Sequence, residues 1–386
     1  MIELDALSKV FPTPKGGSGA PAVDSVSLTV QKGELCVFLG PSGCGKTTTL
    51  KMINRLIEPS SGRVLIDGND TAEMNKVELR RSLGYVIQQI GLFPNMTIEQ
   101  NITVVPRMLG WSAQRMRERA RELMAMVALE PGQYLSRYPR ELSGGQQQRI
   151  GVIRALAADP PLLLMDEPFG AVNPVNRSVI QDEFLQMQRT LGKTVIMVSH
   201  DIDEAIKLGD KVALFRSGQL KQFAHPDRLL ADPSDEFVRA FVGADHTLKR
   251  LLLISAGDAA DDSPSSPLGT RVGDARARME EEDRRYLVIS DAAGKGVGFI
   301  RRHDLRHVDD AKPIDTYLRE FSTTAEGGEN LRVVLSRMYE CNTSWLPVVD
   351  DNGLFMGEVT QESIAAYLST RHGPSETSIK APSAEV

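Results

Sequence analysis

One stretch decides the fold of this 386-residue chain, and it reads Leu35-Cys36-Val37-Phe38-Leu39-Gly40-Pro41-Ser42-Gly43-Cys44-Gly45-Lys46-Thr47-Thr48. Its first five residues are an apolar run of strand length, and the remainder fits the phosphate-loop pattern G-x-x-x-x-G-K-[ST]. Glycines let such a loop turn its N–H groups toward an anion, and the helix that follows adds a positive dipole end. The stretch therefore predicts a buried strand, a phosphate-binding loop and a helix beginning at Lys46.

Two further motifs place polar residues at the ends of predicted elements. In Ser143-Gly144-Gly145-Gln146, the serine can cap a helix and the glycines permit a close approach of backbone to phosphate. Asp166 and Glu167 end the apolar run 162–165, where side chains reach the carboxyl edge of a parallel sheet. Because apolar strands alternate with helical segments, we expect a parallel α/β core.

The composition narrows the class of protein. A net charge of −6 argues against nucleic acid as a partner, because binding phosphates needs a basic face. Three cysteines, Cys36, Cys44 and Cys341, do not form a disulfide framework, which fits a reducing compartment. No apolar run approaches the ~18–20 residues that span a bilayer, and no signal peptide is recognisable. The apolar runs at 195–198 and 251–254 are predicted to be buried strands.

A change of composition near residue 243 marks a second domain. Segments 286–305 and 346–364 each contain a strand, an Asp/Gly turn, a second strand and a helix, at a spacing near 60 residues. This repeat resembles a pair of CBS motifs, which often bind adenine nucleotides; the alternative is a single irregular α/β accessory domain. The tail is rich in Ser, Pro and Glu and is predicted to be disordered. We therefore expect domains at 1–243 and 244–371 and a tail at 372–386.

The three motifs of the first domain, in this order and spacing, resemble those of the ATP-binding subunits of ABC transporters. The resemblance extends from residue 1 to about residue 370. It implies an α/β P-loop ATPase domain of the ABC type followed by a tandem CBS domain of the α+β class. It implies ATP and Mg²⁺ as cofactors and ATP hydrolysis as the activity. It also implies a homodimer, because in the family the segment beginning at Ser143 binds the ATP held by the other chain's phosphate loop.

Four residues carry the expected hydrolysis chemistry. Lys46 is expected to bridge the β- and γ-phosphates of ATP, and the Thr47 hydroxyl is expected to hold Mg²⁺. Asp166 is expected to bind the Mg²⁺ shell. Glu167 is expected to orient and deprotonate the attacking water.

The resemblance adds residues whose roles the chemistry alone does not assign. It places His200 at the γ-phosphate and Gln88 at Mg²⁺ or water. Phe11 stands where the family stacks an aromatic ring on adenine. Cys44 permits a redox role, but a small residue that contributes only its backbone is the favoured interpretation. The predicted nucleotide-binding residues are Phe11, Ser42, Gly43, Cys44, Gly45, Lys46, Thr47, Thr48, Ser143, Gly145 and Gln146. The predicted catalytic residues are Glu167, His200 and Gln88, and the predicted metal ligands are Thr47, Gln88 and Asp166.

One segment departs from the family pattern. Where the family usually has Ser-Ala-Leu-Asp, this chain has Gly170-Ala171-Val172-Asn173. Asn173 keeps hydrogen-bonding capacity but loses the charge, which puts communication between the two ATP sites in doubt.

The type of transporter is indicated by segments 52–59 and 90–97. They look like those of importers of quaternary amine osmoprotectants (glycine betaine, choline, carnitine, proline betaine), a group that also carries a CBS pair. That resemblance implies an integral membrane permease and a periplasmic or extracellular substrate-binding protein as partners. It also implies a peripheral position at the cytoplasmic face of the inner (plasma) membrane.

Three alternatives remain for the function. The same ATPase could import another solute, such as an amino acid. A soluble ABC ATPase outside transport would usually carry two ATPase units or basic patches, and neither is visible. A regulatory CBS protein with an inactive ATPase would have lost Lys46 or Glu167, and both are present.

Overall fold

The computed structural model of the chain describes residues 1–12, 19–88, 91–170, 172 and 174–369. The chain divides into two compact units, Met1–Gly243 and Ala244–Val386. Asn173 and the tail predicted to be disordered, 372–386, lie outside the described residues.

The first unit contains two sheets. A four-stranded antiparallel sheet has the order β2-β1-β4-β5, and a six-stranded sheet has the order β10-β9-β3-β8-β7-β6. The strands are β1 (Ile2–Lys9), β2 (Val23–Val30), β3 (Leu35–Leu39), β4 (Ser61–Ile66), β5 (Asn69–Asp70), β6 (Leu83–Val86), β7 (Leu162–Asp166), β8 (Thr194–Val198), β9 (Lys211–Arg216) and β10 (Gln219–Ala224). Only β10 is antiparallel to its neighbour in the six-stranded sheet, so the predicted parallel α/β core is confirmed.

Helices connect these strands. They are α1 (Lys46–Ile53), α2 (Lys76–Ser82), α3 (Ile98–Ile102), α4 (Val104–Met108), α5 (Ala113–Met126), α6 (Pro131–Tyr134), α7 (Gly144–Leu156), α8 (Pro174–Leu191), α9 (Ile202–Leu208), α10 (Pro226–Ala231) and α11 (Glu236–Val242). Within the described part of the chain, every helix is too short or too polar to cross a membrane.

The central strands position the functional site. Every residue of β3, β7 and β8 is buried, as expected for parallel strands that are covered on both faces. Because the three strands are adjacent and parallel, their carboxyl ends lie at one edge of the sheet. Gly40, Glu167 and Ser199 follow these ends directly. The fold therefore brings three distant parts of the sequence to one place.

The second unit is built from a structural repeat. Its elements are α12 (His246–Arg250), α13 (Ala256–Ala259), β11 (Ser266–Pro267), α14 (Val272–Glu281), β12 (Tyr286–Ser290), β13 (Gly296–Arg301), β14 (Ala325–Glu326), α15 (Leu331–Glu340), β15 (Trp345–Val349), β16 (Phe355–Thr360) and α16 (Gln361–Ser369). The sheets β11-β12-β13 and β14-β15-β16 have the same topology. The elements from β14 to β16 each begin 59 residues after their counterparts in the first copy, so the predicted repeat is present.

Two local predictions in this unit were wrong. The apolar run 251–254 is a turn between α12 and α13, not a strand. Its Leu251 and Ile254 are buried, and their carbonyl oxygens accept the N–H groups of Arg332 and Leu331 at the start of α15. A short apolar run indicates burial but does not by itself select a strand. The helix expected after β13 is only a 3₁₀ turn, Arg302–Leu305, whereas its counterpart α16 is an α-helix.

Candidate nucleotide-binding and hydrolysis site

The loop between β3 and α1 has the backbone of an anion cradle. Gly45 is the N-cap of α1, and no side chain caps the helix there. Its φ of 105° is unfavourable for other residues, and a Cβ would lie 2.4 Å from the carbonyl oxygen of Ala22. At Gly43 (φ 78°) a Cβ would meet nothing within 4 Å. The backbone at Gly45 is therefore packed against its neighbours, whereas the space beside Gly43 is free. The N–H groups at the start of α1 have no side-chain cap and are available to an anion.

Lys46 places a positive charge inside this loop. The residue is only 6% exposed, and its Nζ donates hydrogen bonds to the carbonyl oxygens of Gly40 (2.7 Å) and Pro41 (3.0 Å). The Cys44 thiol is buried in the hydrophobic core, with its Sγ 3.7 Å from Lys46 Nζ. The ammonium group is therefore fixed beside the glycines that shape the loop.

Thr47 and Asp166 form an oxygen-rich pair beside the loop. Thr47 Oγ1 donates a hydrogen bond of 2.9 Å to Asp166 Oδ1. Asp166 is 5% exposed, and burial raises the pKa of its carboxyl, although the Thr47 hydrogen bond opposes that shift. Among the described residues, no group of three or more His, Cys, Asp or Glu side chains is placed to hold a metal. A metal here would need ligands from a bound molecule in addition to this pair.

The carboxylate of Glu167 lies next to the two other predicted catalytic residues, Gln88 and His200. Gln88 Nε2 donates a hydrogen bond of 3.0 Å to Glu167 Oε2, and His200 Nδ1 lies 3.4 Å from the same oxygen. The Glu167 backbone adopts φ 46° and donates its N–H to the carbonyl oxygen of Val198. Strand β8 thus fixes the turn after β7, and the carboxylate is held between the glutamine and the histidine.

The segment that begins α7 is not joined to this site. Ser143 Oγ accepts the Gln146 N–H (3.4 Å), and Gln146 Oε1 accepts the Ser143 N–H (2.9 Å), which makes a capping box. Gln146 Nε2 also donates to the hydroxyl of Tyr134. No hydrogen bond in the described part of the chain connects 143–146 with the phosphate loop.

Three other predicted nucleotide-binding residues remain on the surface or near it. Phe11 is 44% exposed, with Lys9 Nζ 5.3 Å from its ring centroid. Ser42 is exposed and Thr48 is half-buried. Their roles stay predictions.

The sequence reasoning missed a buried network beneath His200. Ser199 Oγ donates a short hydrogen bond to Glu204 Oε2, and Gln181 Nε2 donates to Glu204 Oε1 (3.0 Å). Burial raises the pKa of Glu204. The network ties the turn that carries His200 to α8. One available signal was the spacing of Glu204 and Leu208, which puts both on the inner face of α9.

Two family models match the chain. The model described as ABC transporter matches residues 23–170, and the one described as CBS domain matches residues 319–370. The second match covers only the second copy of the structural repeat.

Curated proteins and solved structures extend these matches. The osmoprotectant import ATP-binding protein OsmV of Salmonella typhimurium is 59% identical over 372 residues, covering 96% of this chain and 97% of that protein. The glycine betaine/carnitine/choline transport ATP-binding protein OpuCA of Bacillus subtilis is 45% identical over 94% of this chain and 95% of that protein. The ATP-binding cassette MJ0796, solved as a dimer in a post-hydrolysis state with ADP and Pi, has a TM-score of 0.53 and 32% identity. That match covers 58% of this chain and 99% of the solved one.

Proposed function

Because this chain belongs to the family of ABC transporter ATP-binding proteins, we propose that it hydrolyses ATP to drive the import of a quaternary amine osmoprotectant. The main support for this class of solute is that the chain is similar to osmoprotectant transport proteins over nearly its whole length. Relatives named for osmoprotectants, glycine betaine, carnitine and choline match at least 94% of the chain, so both units are covered.

The phosphate loop is proposed to bind the phosphates of ATP. The uncapped start of α1 supplies backbone N–H groups, and Lys46 supplies the charge. In the structure its Nζ bonds two loop carbonyls, so binding requires the ammonium group to exchange at least one of them for phosphate oxygens.

Mg²⁺ is proposed as the metal, held by Thr47 and Asp166, with Gln88 as a further ligand. The donors fit, because Mg²⁺ prefers oxygen ligands and is usually bound by one or two carboxylates together with substrate phosphates. Thr47 Oγ1 and Asp166 Oδ1 lie 2.9 Å apart, which supports the binding of one ion by both oxygens. When bound, the ion neutralises charge on the phosphates.

Glu167 is proposed as the general base that deprotonates the attacking water. Its carboxylate accepts from Gln88 and faces His200, so its orientation is set from both sides. His200 is 59% exposed and is proposed to contact the γ-phosphate through its open face.

Two chains are proposed to complete the ATP site as a homodimer. Ser143, Gly145 and Gln146 form an exposed or half-exposed helix start that is not joined to the chain's own phosphate loop. The matching cassette structure is itself dimeric. The remaining partners are proposed to be a membrane permease and an external substrate-binding protein, which would hold the chain at the cytoplasmic face of the membrane.

The second unit, from about residue 244, is proposed to regulate the ATPase. None of the predicted hydrolysis residues lies in it. An adenine nucleotide, which the CBS resemblance implies, is one candidate ligand. A chain truncated after residue 243 should retain ATP hydrolysis if this division of roles is right.

Uptake by cells tests the solute class. A strain that lacks the gene is assayed at high osmolarity with labelled glycine betaine, carnitine, choline and an unrelated amino acid, and is complemented with the wild type or with Glu167→Gln. We expect only the wild type to restore uptake of a quaternary amine. Restored uptake of the amino acid alone would refute the proposed solute.

A further inference from the structure

The repeat in the second unit creates two related clefts with different chemistry. One, here called the aromatic cleft, has a volume of about 410 Å³ and is lined by Tyr286, Phe299, Phe321 and Trp345 together with Arg301. The other, here called the charged cleft, has a volume of about 760 Å³ and shares Tyr286 and Trp345 with the first. The two clefts therefore permit a comparison within one molecule.

The four rings of the aromatic cleft stand in two nearly perpendicular orientations. Tyr286 and Trp345 are stacked, with centroids 4.8 Å apart and planes at 28°, and Phe299 and Phe321 are within 14° of parallel. Across the two pairs, Phe299 and Phe321 meet Trp345 at 81° and 78°. Phe299 and Trp345 are buried in this aromatic cluster, whereas Tyr286 and Phe321 are only partly buried, so these two rings offer surface to the cleft. A methylated ammonium group is attracted to aromatic ring faces.

The polar part of the aromatic cleft suits a single carboxylate. Arg301 is the one charged residue in its lining, and its guanidinium lies 5.8 Å from the Phe299 centroid. Hydroxyl and amide groups of Ser322, Thr323 and Asn342 lie in the same lining, which contains no Asp or Glu. One arginine with neighbouring donors matches one carboxylate, whereas nucleotide phosphates bring more charge.

Residues 59 positions apart show how the charged cleft differs. Glu358 stands where the aromatic cleft has Phe299, and Arg284 stands where it has Thr343. Arg284 Nη1 donates to Glu358 Oε1 (2.7 Å), and its Nε lies 2.6 Å from Glu282 Oε2. The lining has six acidic residues against two arginines, so it repels a carboxylate.

We propose that the aromatic cleft binds a zwitterionic quaternary ammonium carboxylate, the chemical class of glycine betaine and carnitine. The methylated ammonium group lies against Tyr286 and Phe321, and the carboxylate meets Arg301. That this solute is also the imported one rests on the proposed function. The second unit would then sense the product of transport.

Intrinsic fluorescence provides a direct assay, because Trp111 and Trp345 are the only tryptophans in the sequence. The full chain with Trp111→Phe keeps Trp345 as the sole reporter, and it is titrated with glycine betaine and with 3,3-dimethylbutyrate, which lacks the positive charge. We expect glycine betaine to give a saturable change and dimethylbutyrate, which keeps the carboxylate but not the ammonium charge, to bind about 3- to 30-fold more weakly. Choline, which lacks the carboxylate, is also expected to be weaker.

Variants assign the cleft. Arg301→Gln should weaken glycine betaine binding roughly 10- to 100-fold. The matched control, Arg306→Gln, changes an exposed arginine that lines neither cleft and should leave binding unchanged. Phe321→Leu should weaken betaine more than it weakens any residual binding of dimethylbutyrate. Loss of binding in Glu358→Gln with retention in Arg301→Gln would place the ligand in the charged cleft and overturn the proposal.

Nucleotides are the decisive competitor. AMP is titrated into the same reporter chain carrying Lys46→Ala, so that the phosphate loop does not contribute. Saturable AMP binding that depends on Arg301, without betaine binding, would overturn the proposal. The transport assay is separate: normal osmoprotectant uptake with no betaine binding refutes this site alone, whereas betaine binding without uptake refutes the proposed function alone.

Discussion

Replacing Glu167 by glutamine isolates proton abstraction from the rest of the site. The amide has almost the same shape as the carboxylate, and its single oxygen can occupy the position of Oε2. There it still accepts from Gln88 Nε2 and still faces His200 Nδ1. The left-handed backbone at Glu167 is unchanged by a side-chain substitution. Folding and ATP binding are therefore expected to survive.

The substitution Glu167→Gln should lower the rate of ATP hydrolysis. An amide cannot accept the proton of the attacking water, and loss of a general base typically lowers the rate ~10²–10⁴-fold. That factor corresponds to about 3–5 kcal/mol in the activation free energy. Because no donor at Glu167 loses its partner, the free energy of unfolding should change by only about 0.5 kcal/mol or less.

Phosphate release, nucleotide binding and thermal unfolding are measured together on the purified chain. Glu122→Gln serves as the control, since it is the same change at an exposed residue of α5 that pairs with Arg119. We expect Glu167→Gln alone to lose hydrolysis, with both variants binding ATP and unfolding like the wild type. Steady-state hydrolysis near the wild-type rate in Glu167→Gln would refute the assignment of Glu167 as the base. Lost hydrolysis with lost ATP binding would show that its role is structural.

Three other outcomes are expected. Specific ATPase activity should rise with protein concentration, because each site is proposed to need two chains; flat activity from a monomer would contradict the homodimer. Asp166→Asn should abolish Mg²⁺-dependent hydrolysis yet raise the melting temperature of the nucleotide-free chain, by about 2–4 °C for each kcal/mol recovered. The sign follows from the pKa of Asp166, which burial raises above the ordinary value of 3.8. As the pH rises, the carboxyl therefore ionises first in the unfolded chain, and the free energy of unfolding falls until the carboxyl of the folded chain has also ionised. The rise in melting temperature caused by Asp166→Asn should therefore be smaller in acid. An equal rise at pH 3 and pH 7 would exclude burial of the charge as its cause. Gly45→Ala should destabilise the chain by ~1–3 kcal/mol and weaken ATP binding, whereas Gly132→Ala, whose Cβ would come no closer than 3.6 Å to a neighbouring atom, should do neither.

The sequence was informative where one short stretch fixes its own conformation. The phosphate loop was predictable because its glycines, the preceding apolar run and the following helix are local features. The meeting of Gln88, Glu167 and His200 could be expected only in part. Strand ends that share an edge explain the approach of the last two, but the contact of Gln88 with Glu167 depends on how β6 lies beside β7.

The features that were missed depend on packing between distant elements. From the sequence, Glu204 is one more acidic residue on a helix. It becomes a buried hydrogen-bond acceptor only because α8 and the turn at Ser199 bring Gln181 and Ser199 next to it. The run 251–254 was apolar enough to be buried, but its backbone is used to bind the start of α15. Hydrophobicity gave the burial of the run 251–254 correctly but not that of Glu204, and in both cases the hydrogen-bond partners came from elsewhere in the chain.

The repeat shows why a motif comparison underestimates a site. A family model covers only the second copy, although the two copies have the same topology at a constant offset. What distinguishes their clefts is the exchange of Phe299 and Thr343 in one for Glu358 and Arg284 in the other. These exchanges lie outside the main apolar cluster of each copy, although Phe299 is buried in a smaller cluster with Val288 and Trp345. The chemistry of each cleft must therefore be read from its own residues rather than from the family to which the chain belongs.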